Sequence, residues 1–282
     1  MSKFFCDSCC DIFDIVQKMD LNLIKIPYFV NGKLQEKEYG TDFDKNSFYN
    51  SMLKGANTST SGLNPSEYID IFEPVLESGE DILYISFSHD MSGTFAQMDT
   101  AISQLQKKYS DRKITVVNTR QMSIGAGVLV WLAALKHSQG VKDDEIIDYV
   151  MEVSKREQTY VTVDDLKYLK RGGRISGFTA FVGGVLNIKP ILKMEDGKLI
   201  KMDKVKGRKA SLKYLLNKLK DSDVDLSLPI CIMSAQCDDD SNSIATEIKT
   251  SYPNAEIWQK SIGPVIGCHC GPGTLGIVFF LN

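Results

Sequence analysis

The chain is predicted to be an α/β protein in two parts: a parallel-sheet α/β/α domain over residues 1–156 and a mixed-sheet α/β domain over residues 157–282. Three observations carry this. In the first half, apolar runs and helical patterns alternate as strand, loop and helix, which builds a parallel sheet with helices on both faces. From about residue 159 the pattern changes to hairpin-type strands around Asp196-Gly197. The 282 residues, 43% of them hydrophobic, suffice for two cores of ordinary size.

Lys3–Cys6 reads as a short buried strand, followed after Asp7-Ser8 by a helix from about Asp11 to Met19. Leu21–Val30 is strand-like, with Pro27 confining it to an edge or a break. The charged stretch Asn31–Asp44 reads as loop, and Asn57–Ser61 is a run of small hydroxyl and amide residues. Asn64 suits a helix N-cap with Pro65 at the first helical position. Tyr68, Ile71, Phe72 and Val75 give that helix one apolar face. Asp81–Ser88 is a strong buried strand that empties into His89-Asp90-Met91-Ser92-Gly93-Thr94 before another helix. Ile114–Asn118, Gln121–Ser138 and Asp143–Arg156 follow as strand, helix and helix.

In the second half, Thr159–Val163 is a short strand and Phe178–Ile188 a dense apolar segment. Pro190–Glu195 and Lys198–Lys206 form the clearest hairpin, and Lys206-Gly207-Arg208 leads a basic helix to about Lys220. Strand Leu228–Ser234, helix Ser241–Ser251 and strand Ala255–Lys260 come next. The closing stretch Ser261–Phe280 carries Gly263, Pro264, Gly267, Gly271, Pro272 and Gly273. It reads as a shaped loop holding His269 between Cys268 and Cys270 and leading into a strand at Thr274–Leu281.

Composition excludes several classes. Thirty-three Lys and Arg against 36 Asp and Glu leave a formal charge of −3, which argues against a general nucleic-acid binder. The N-terminus lacks the apolar core of a signal peptide, and no run approaches the ~18 apolar residues of a membrane span. A soluble, cytoplasmic protein is expected. Seven cysteines, an odd number without an export signal, read as reduced and partly buried thiols. Cys6-x-x-Cys9 and Cys268-x-Cys270 have zinc-ligand chemistry, but lie at opposite chain ends. Neither a metal nor a cofactor is expected.

Gly172-Gly173 matches no nucleotide fingerprint, and Gly125-x-Gly127 inside a helical pattern reads as close helix packing, so the chain is not expected to bind ATP itself. Ser92 and His269 are the right residue types for a serine acyl hydrolase, but the serine lacks the Gly-x-Ser-x-Gly elbow. Two hydroxyl-rich loops, Thr58–Ser61 and Ser88–Thr94, fall where open α/β sheets gather ligands, each ahead of a helix. Such hydroxyls donate hydrogen bonds to a carboxylate without placing a full positive charge on it. They suit a site that holds an acid and leaves its oxygen reactive.

Taken in order, Asp7-Ser8-x-x-Asp11, Thr60-Ser61 before Glu67, Ser92-Gly93-Thr94, Leu169-x-x-Gly172-Gly173-Arg174-Ile175, Arg208, Ile262-Gly263-Pro264 and His269-x-Gly271-Pro272-Gly273 resemble the DegV family over essentially the whole chain. These are bacterial proteins that bind long-chain fatty acids, and some are the fatty-acid-binding subunits of a two-component fatty acid kinase. The chain departs from the family pattern at Gly62-Leu63, Asn118-Thr119 and the cysteines flanking His269.

The resemblance implies an apolar ligand tunnel between the two domains. It places the carboxylate at Thr60, Ser61, Ser92, Gly93 and His269, although Thr58-Ser59 offers a second Thr-Ser pair two residues earlier. His269 and Arg208 are implied to assist phosphoryl transfer and contact the kinase; a solvated helix-end charge is the alternative for Arg208. Phe178, Phe181, Val182, Val185, Leu186 and Ile188 are candidates for the tunnel lining because their apolar run exceeds one amphipathic face, with ordinary core as the alternative. The chain is expected not to be an enzyme. It would bind a long-chain fatty acid and present its carboxylate to the catalytic subunit of a separate fatty acid kinase. Nucleic acid is not an expected partner, and at most transient membrane-surface contact is. A stand-alone lipid carrier or sensor and a hydrolase acting through Ser92 are the alternative functions.

Overall fold

The structure, a computed structural model, describes residues 1–35, 43–174 and 187–282. The first half contains β1 (Lys3–Asp7), β2 (Asn22–Ile24), β3 (Tyr28–Val30), β4 (Lys33–Leu34), β5 (Thr58–Thr60), β6 (Ile82–Ser86) and β7 (Ile114–Asn118). Its helices are α1 (Phe13–Lys18), α2 (Lys45–Leu53), α3 (Pro65–Glu77), α4 (Thr94–Lys108), α5 (Ser123–Ser138) and α6 (Asp143–Arg156). The expected parallel sheet is present in the order β2-β1-β6-β7. β6 is buried at every residue, as an unbroken apolar run in a strand covered on both faces should be. Asn64 and Glu67 cap α3 reciprocally, side chain to backbone in both directions, with Pro65 beside them.

Two expectations in this half are corrected, and the break allowed at Pro27 is found. Leu21–Val30 breaks at Pro27 into β2, an edge of the parallel sheet, and β3, which joins a separate antiparallel sheet β4-β3-β5. Residues 33–34, expected in a loop, pair with β3 because Asn31-Gly32 (φ 51° and 77°) makes the tight turn that matches strand twist. Thr58–Thr60, also expected in a loop, is strand β5. Helix α2 has no counterpart in the sequence reading. Its N-cap is Asp44, whose carboxylate accepts from the Asn46 and Ser47 N–H groups.

The second half contains β8 (Glu157–Thr162), α7 (Lys167–Gly172), β9 (Ile188–Glu195), β10 (Lys198–Lys206), α8 (Arg208–Lys220), β11 (Ile230–Ser234), α9 (Asp238–Ser251), β12 (Ile257–Ser261), α10 (Pro264–Cys270) and β13 (Leu275–Phe280). The mixed sheet runs β10-β9-β8-β13-β11-β12, antiparallel except for the β11–β12 pair. The β9–β10 hairpin turns at Asp196-Gly197 as expected, with φ of 48° and 77°. The shaped loop expected before the last strand is instead largely helix α10. Gly263 supplies the extended N-cap, Pro264 occupies the first turn, and Gly271 (φ 75°) stops the helix.

Helix α5 touches β1 and β6 on one side and β11 on the other. A helix between two sheets has no face for water, which explains its apolar character all round. Gly125 and Gly127 are packing glycines: a Cβ at 127 would strike the Cys10 carbonyl, and one at 125 the Glu157 carboxyl. One core surrounds α5 and joins both sheets, while a second lies under α8 and α9 on the far face of the mixed sheet. Among the described residues no helix is long and apolar enough to cross a membrane.

Candidate ligand-binding site

A cavity opens where the two halves face each other. Phe87 and Met122 wall it from the first half, Val161, Leu199 and Met233 from the second, and α10 contributes Val265, Ile266, His269 and Cys270. The space totals about 760 Å³ with open solvent at its mouth included. Its polar lining includes Thr60, Ser61, Ser92, Arg174 and His269.

Local bonding fixes these groups. β5 sets Thr60 opposite Tyr28, and the Ser61 N–H donates to the Pro27 carbonyl at 3.0 Å. The Thr94 hydroxyl ties the start of α4 to α3 and the turn before it: it lies 2.9 Å from the Tyr68 hydroxyl and accepts from the Leu63 N–H at 2.9 Å. Buried Asp7 orders the chain after β6 by accepting from the Phe87 N–H, the Tyr84 hydroxyl and the Cys9 N–H. Burial raises the Asp7 pKa and those bonds pull it back.

His269 lies 2.8 Å from Thr60, Nε2 to Oγ1, and its Nδ1 is buried with no hydrogen-bond partner. Burial first, then the Arg174 and Arg171 charges, push its pKa down to about 4. At neutral pH the ring is therefore an uncharged imidazole, a hydrogen-bonding group rather than a cation. The nearby positive charge belongs to Arg174, whose Nε donates to the Met91 carbonyl at 3.2 Å and whose Nη1 donates to the Gly172 carbonyl. Arg171 donates to the Thr58 hydroxyl at 2.9 Å, which takes the earlier Thr-Ser pair's threonine away from the cavity.

The structure thus brings Thr60, Ser61, Ser92 and His269 to one cavity. Gly93 lines an adjoining polar bowl with Ser92, Arg174, His89 and Lys198. Arg208 is not brought to the cavity: it opens α8, with Nε donating to Asp240 at 2.8 Å and Nη1 at 3.8 Å from Asp164. Phe178, Phe181, Val182, Val185 and Leu186 lie outside the described residues, and Ile188, which opens β9, is not part of the cavity wall. The Ser–His pairing a hydrolase needs is not made, because the Nε2 partner of His269 is Thr60 and Ser92 Oγ accepts from the Thr94 N–H at 3.3 Å.

Arg174 was visible only as part of a motif; nothing in its spacing shows that it lines the cavity. The apolar walls were missed because strand residues facing a cavity and facing a core share one periodicity. All seven cysteines are free thiols, and burial holds those of Cys9, Cys268 and Cys270 above their ordinary range. Among the described residues no group of three or more His, Cys, Asp or Glu is arranged to hold a metal ion.

Comparison with known proteins finds relatives over the whole chain and solved structures of the same fold. A family model described as "Uncharacterised protein, DegV family" matches residues 2–282. A DegV domain-containing protein of Clostridium perfringens is 37% identical over 287 residues, covering 100% of this chain and 98% of the relative. The crystal structure of DegV, a fatty acid binding protein from Bacillus subtilis, superposes with a TM-score of 0.83 at 26% identity, covering 99% of this chain and 98% of that one. A DegV lipid binding protein from Thermotoga maritima superposes with a TM-score of 0.82 at 25% identity, with coverage of 99% and 98%.

Proposed function

The chain belongs to the DegV family, and on that premise we propose that it binds a long-chain fatty acid in the cavity and presents the carboxylate to a separate ATP-dependent kinase. One observation carries the reading: a single cavity joins apolar walls from both halves to a polar end of three hydroxyls, a neutral imidazole and an arginine. An acyl chain buried there gains roughly 0.8 kcal/mol per methylene, on the order of 10 kcal/mol for a long one before costs. The hydroxyls then hold the carboxylate, and Arg174, which shares the lining with Ser92, supplies the compensating charge.

The Thr60–His269 pair gives the site a direction. When His269 donates from Nε2, Thr60 accepts with its oxygen and its hydroxyl proton is free to point at the carboxylate. The imidazole thereby fixes the hydroxyl as a donor. Phosphorylation would form a bond between a carboxylate oxygen and the γ-phosphorus of ATP as the bond from that phosphorus to the β–γ bridging oxygen breaks. ADP leaves and an acyl phosphate remains in the cavity. This chain's own contribution to the transfer would be His269 beside the carboxylate, and the machinery that handles ATP belongs to the partner.

Mixing the protein, oleate, ATP and a candidate fatty acid kinase from a related bacterium tests this. Acyl phosphate trapped as its hydroxamate supports the reading. Oleate bound stoichiometrically but never phosphorylated by any such kinase leaves a carrier or sensor in its place.

A further inference from the structure

One peptide unit at the wall of the cavity, Ile262–Gly263, is gripped at both ends by the other half of the chain. The Gly263 N–H donates to Asp11 Oδ1 at 2.9 Å, and the Ile262 carbonyl of the same peptide accepts from the Tyr49 hydroxyl at 2.8 Å. Asp11 lies between β1 and α1, Tyr49 lies in α2, and both are buried. The second oxygen of Asp11 accepts from Ser123 at the start of α5, so one carboxyl ties α10 to the central helix. Asp11 and Ser123 hold left-handed backbone, with φ of 52° and 50°, a conformation tolerated where surrounding contacts over-determine it.

The glycines on α10 fit this clamp. A Cβ at Gly263 would come within 2.5 Å of Asp11 Oδ1, and one at Gly267 within 2.6 Å of the Tyr49 hydroxyl. α10 is only seven residues long, too short to be stable by itself. Yet it delivers Val265, Ile266 and His269 to the cavity, whereas neither Asp11 nor Tyr49 lines it.

We infer that Asp11 and Tyr49 are positioning residues, which set α10, and with it His269 and one cavity wall, by clamping the Ile262–Gly263 peptide. In its effect on affinity the inference rests on the fatty-acid reading above. Clamp integrity is separable from it.

The test compares the parent chain with Asp11→Ala, Asp11→Asn and Tyr49→Phe by hydrogen exchange and oleate titration. Asp11→Ala and Tyr49→Phe are expected to speed exchange in residues 264–270, leave α8 and α9 at parental rates, and weaken oleate binding about tenfold. Asp11→Asn, whose amide oxygen still accepts from Gly263, restores most of both. If Asp11→Ala does not fold, Tyr49→Phe against the parent carries the comparison. Unchanged exchange at 264–270 and unchanged affinity overturn the inference, as does exchange raised equally throughout the chain. A parent chain that takes no oleate while α10 still responds upholds the clamp and sinks the functional reading instead.

Discussion

His269 and Thr60 stand 2.8 Å apart across the join between the two halves, one on α10 and the other at the end of β5. The contact links the last helix to the end of strand β5. Thr60→Val keeps shape and removes the hydroxyl. Fatty-acid affinity should fall by about 10- to 100-fold, the worth of a hydrogen bond to a charged group. Isothermal titration with oleate at pH 7.5 measures it, and parental affinity would remove Thr60 from the carboxylate end.

His269→Ala should separate binding from presentation. It removes a neutral ring rather than a charge, so oleate binding should weaken by less than about tenfold. Acyl phosphate formation with a kinase partner should fall far more. Equal loss of both would sink the division of roles between His269 and the hydroxyls.

Much of the scaffold was legible because local chemistry and global fold agree. The all-apolar β6, the Asp196-Gly197 turn and the Asn64-Pro65 cap each point to one structure. The site was only half legible. Thr60, Ser61 and Ser92 announce themselves as hydroxyl runs ahead of helices, but α10 was hidden because Gly267 lowers helix propensity and Gly263 before it reads as a loop residue. Those glycines are there for close contact with Asp11 and Tyr49, which only the tertiary structure shows. Asn31-Gly32 was a readable hairpin signal masked by the charged residues after it. The Arg208 pairing with Asp240 depends on how α8 meets α9, which spacing cannot supply.

Buried titrating groups predict how stability varies with pH. His269 is pushed down to about 4 from 6.5, so the native state refuses a proton that the unfolded chain takes, and stability is lost as pH falls from 6.5 toward 4. Glu157 goes the other way, from 4.5 up to about 8 by burial, with the Thr159 bond opposing. The native state keeps that proton, so stability contributed by Glu157 declines as pH rises from 4.5 to 8. Glu157→Gln should therefore gain stability relative to the parent across that window. Urea unfolding at pH 5, 7 and 8.5 checks it, and a constant difference would place Glu157 ionised in the fold.

Gly127→Ala tests the seating of α5. The added methyl meets the Cys10 carbonyl, which is backbone and cannot swing aside, so a loss of about 1–3 kcal/mol is expected. A surface change such as Ala210→Gly should cost no more than about 1 kcal/mol. Denaturant melts of the two variants make the comparison, and a stable Gly127→Ala would mean α5 sits less tightly on the Cys10 loop.

The most direct test of the central claim is native mass spectrometry of the purified protein, followed by extraction and identification of whatever it carries. One long-chain fatty acid per chain, displaced by added oleate and lost in Thr60→Val, is the result predicted. A protein that arrives empty and takes up neither oleate nor palmitate would contradict it.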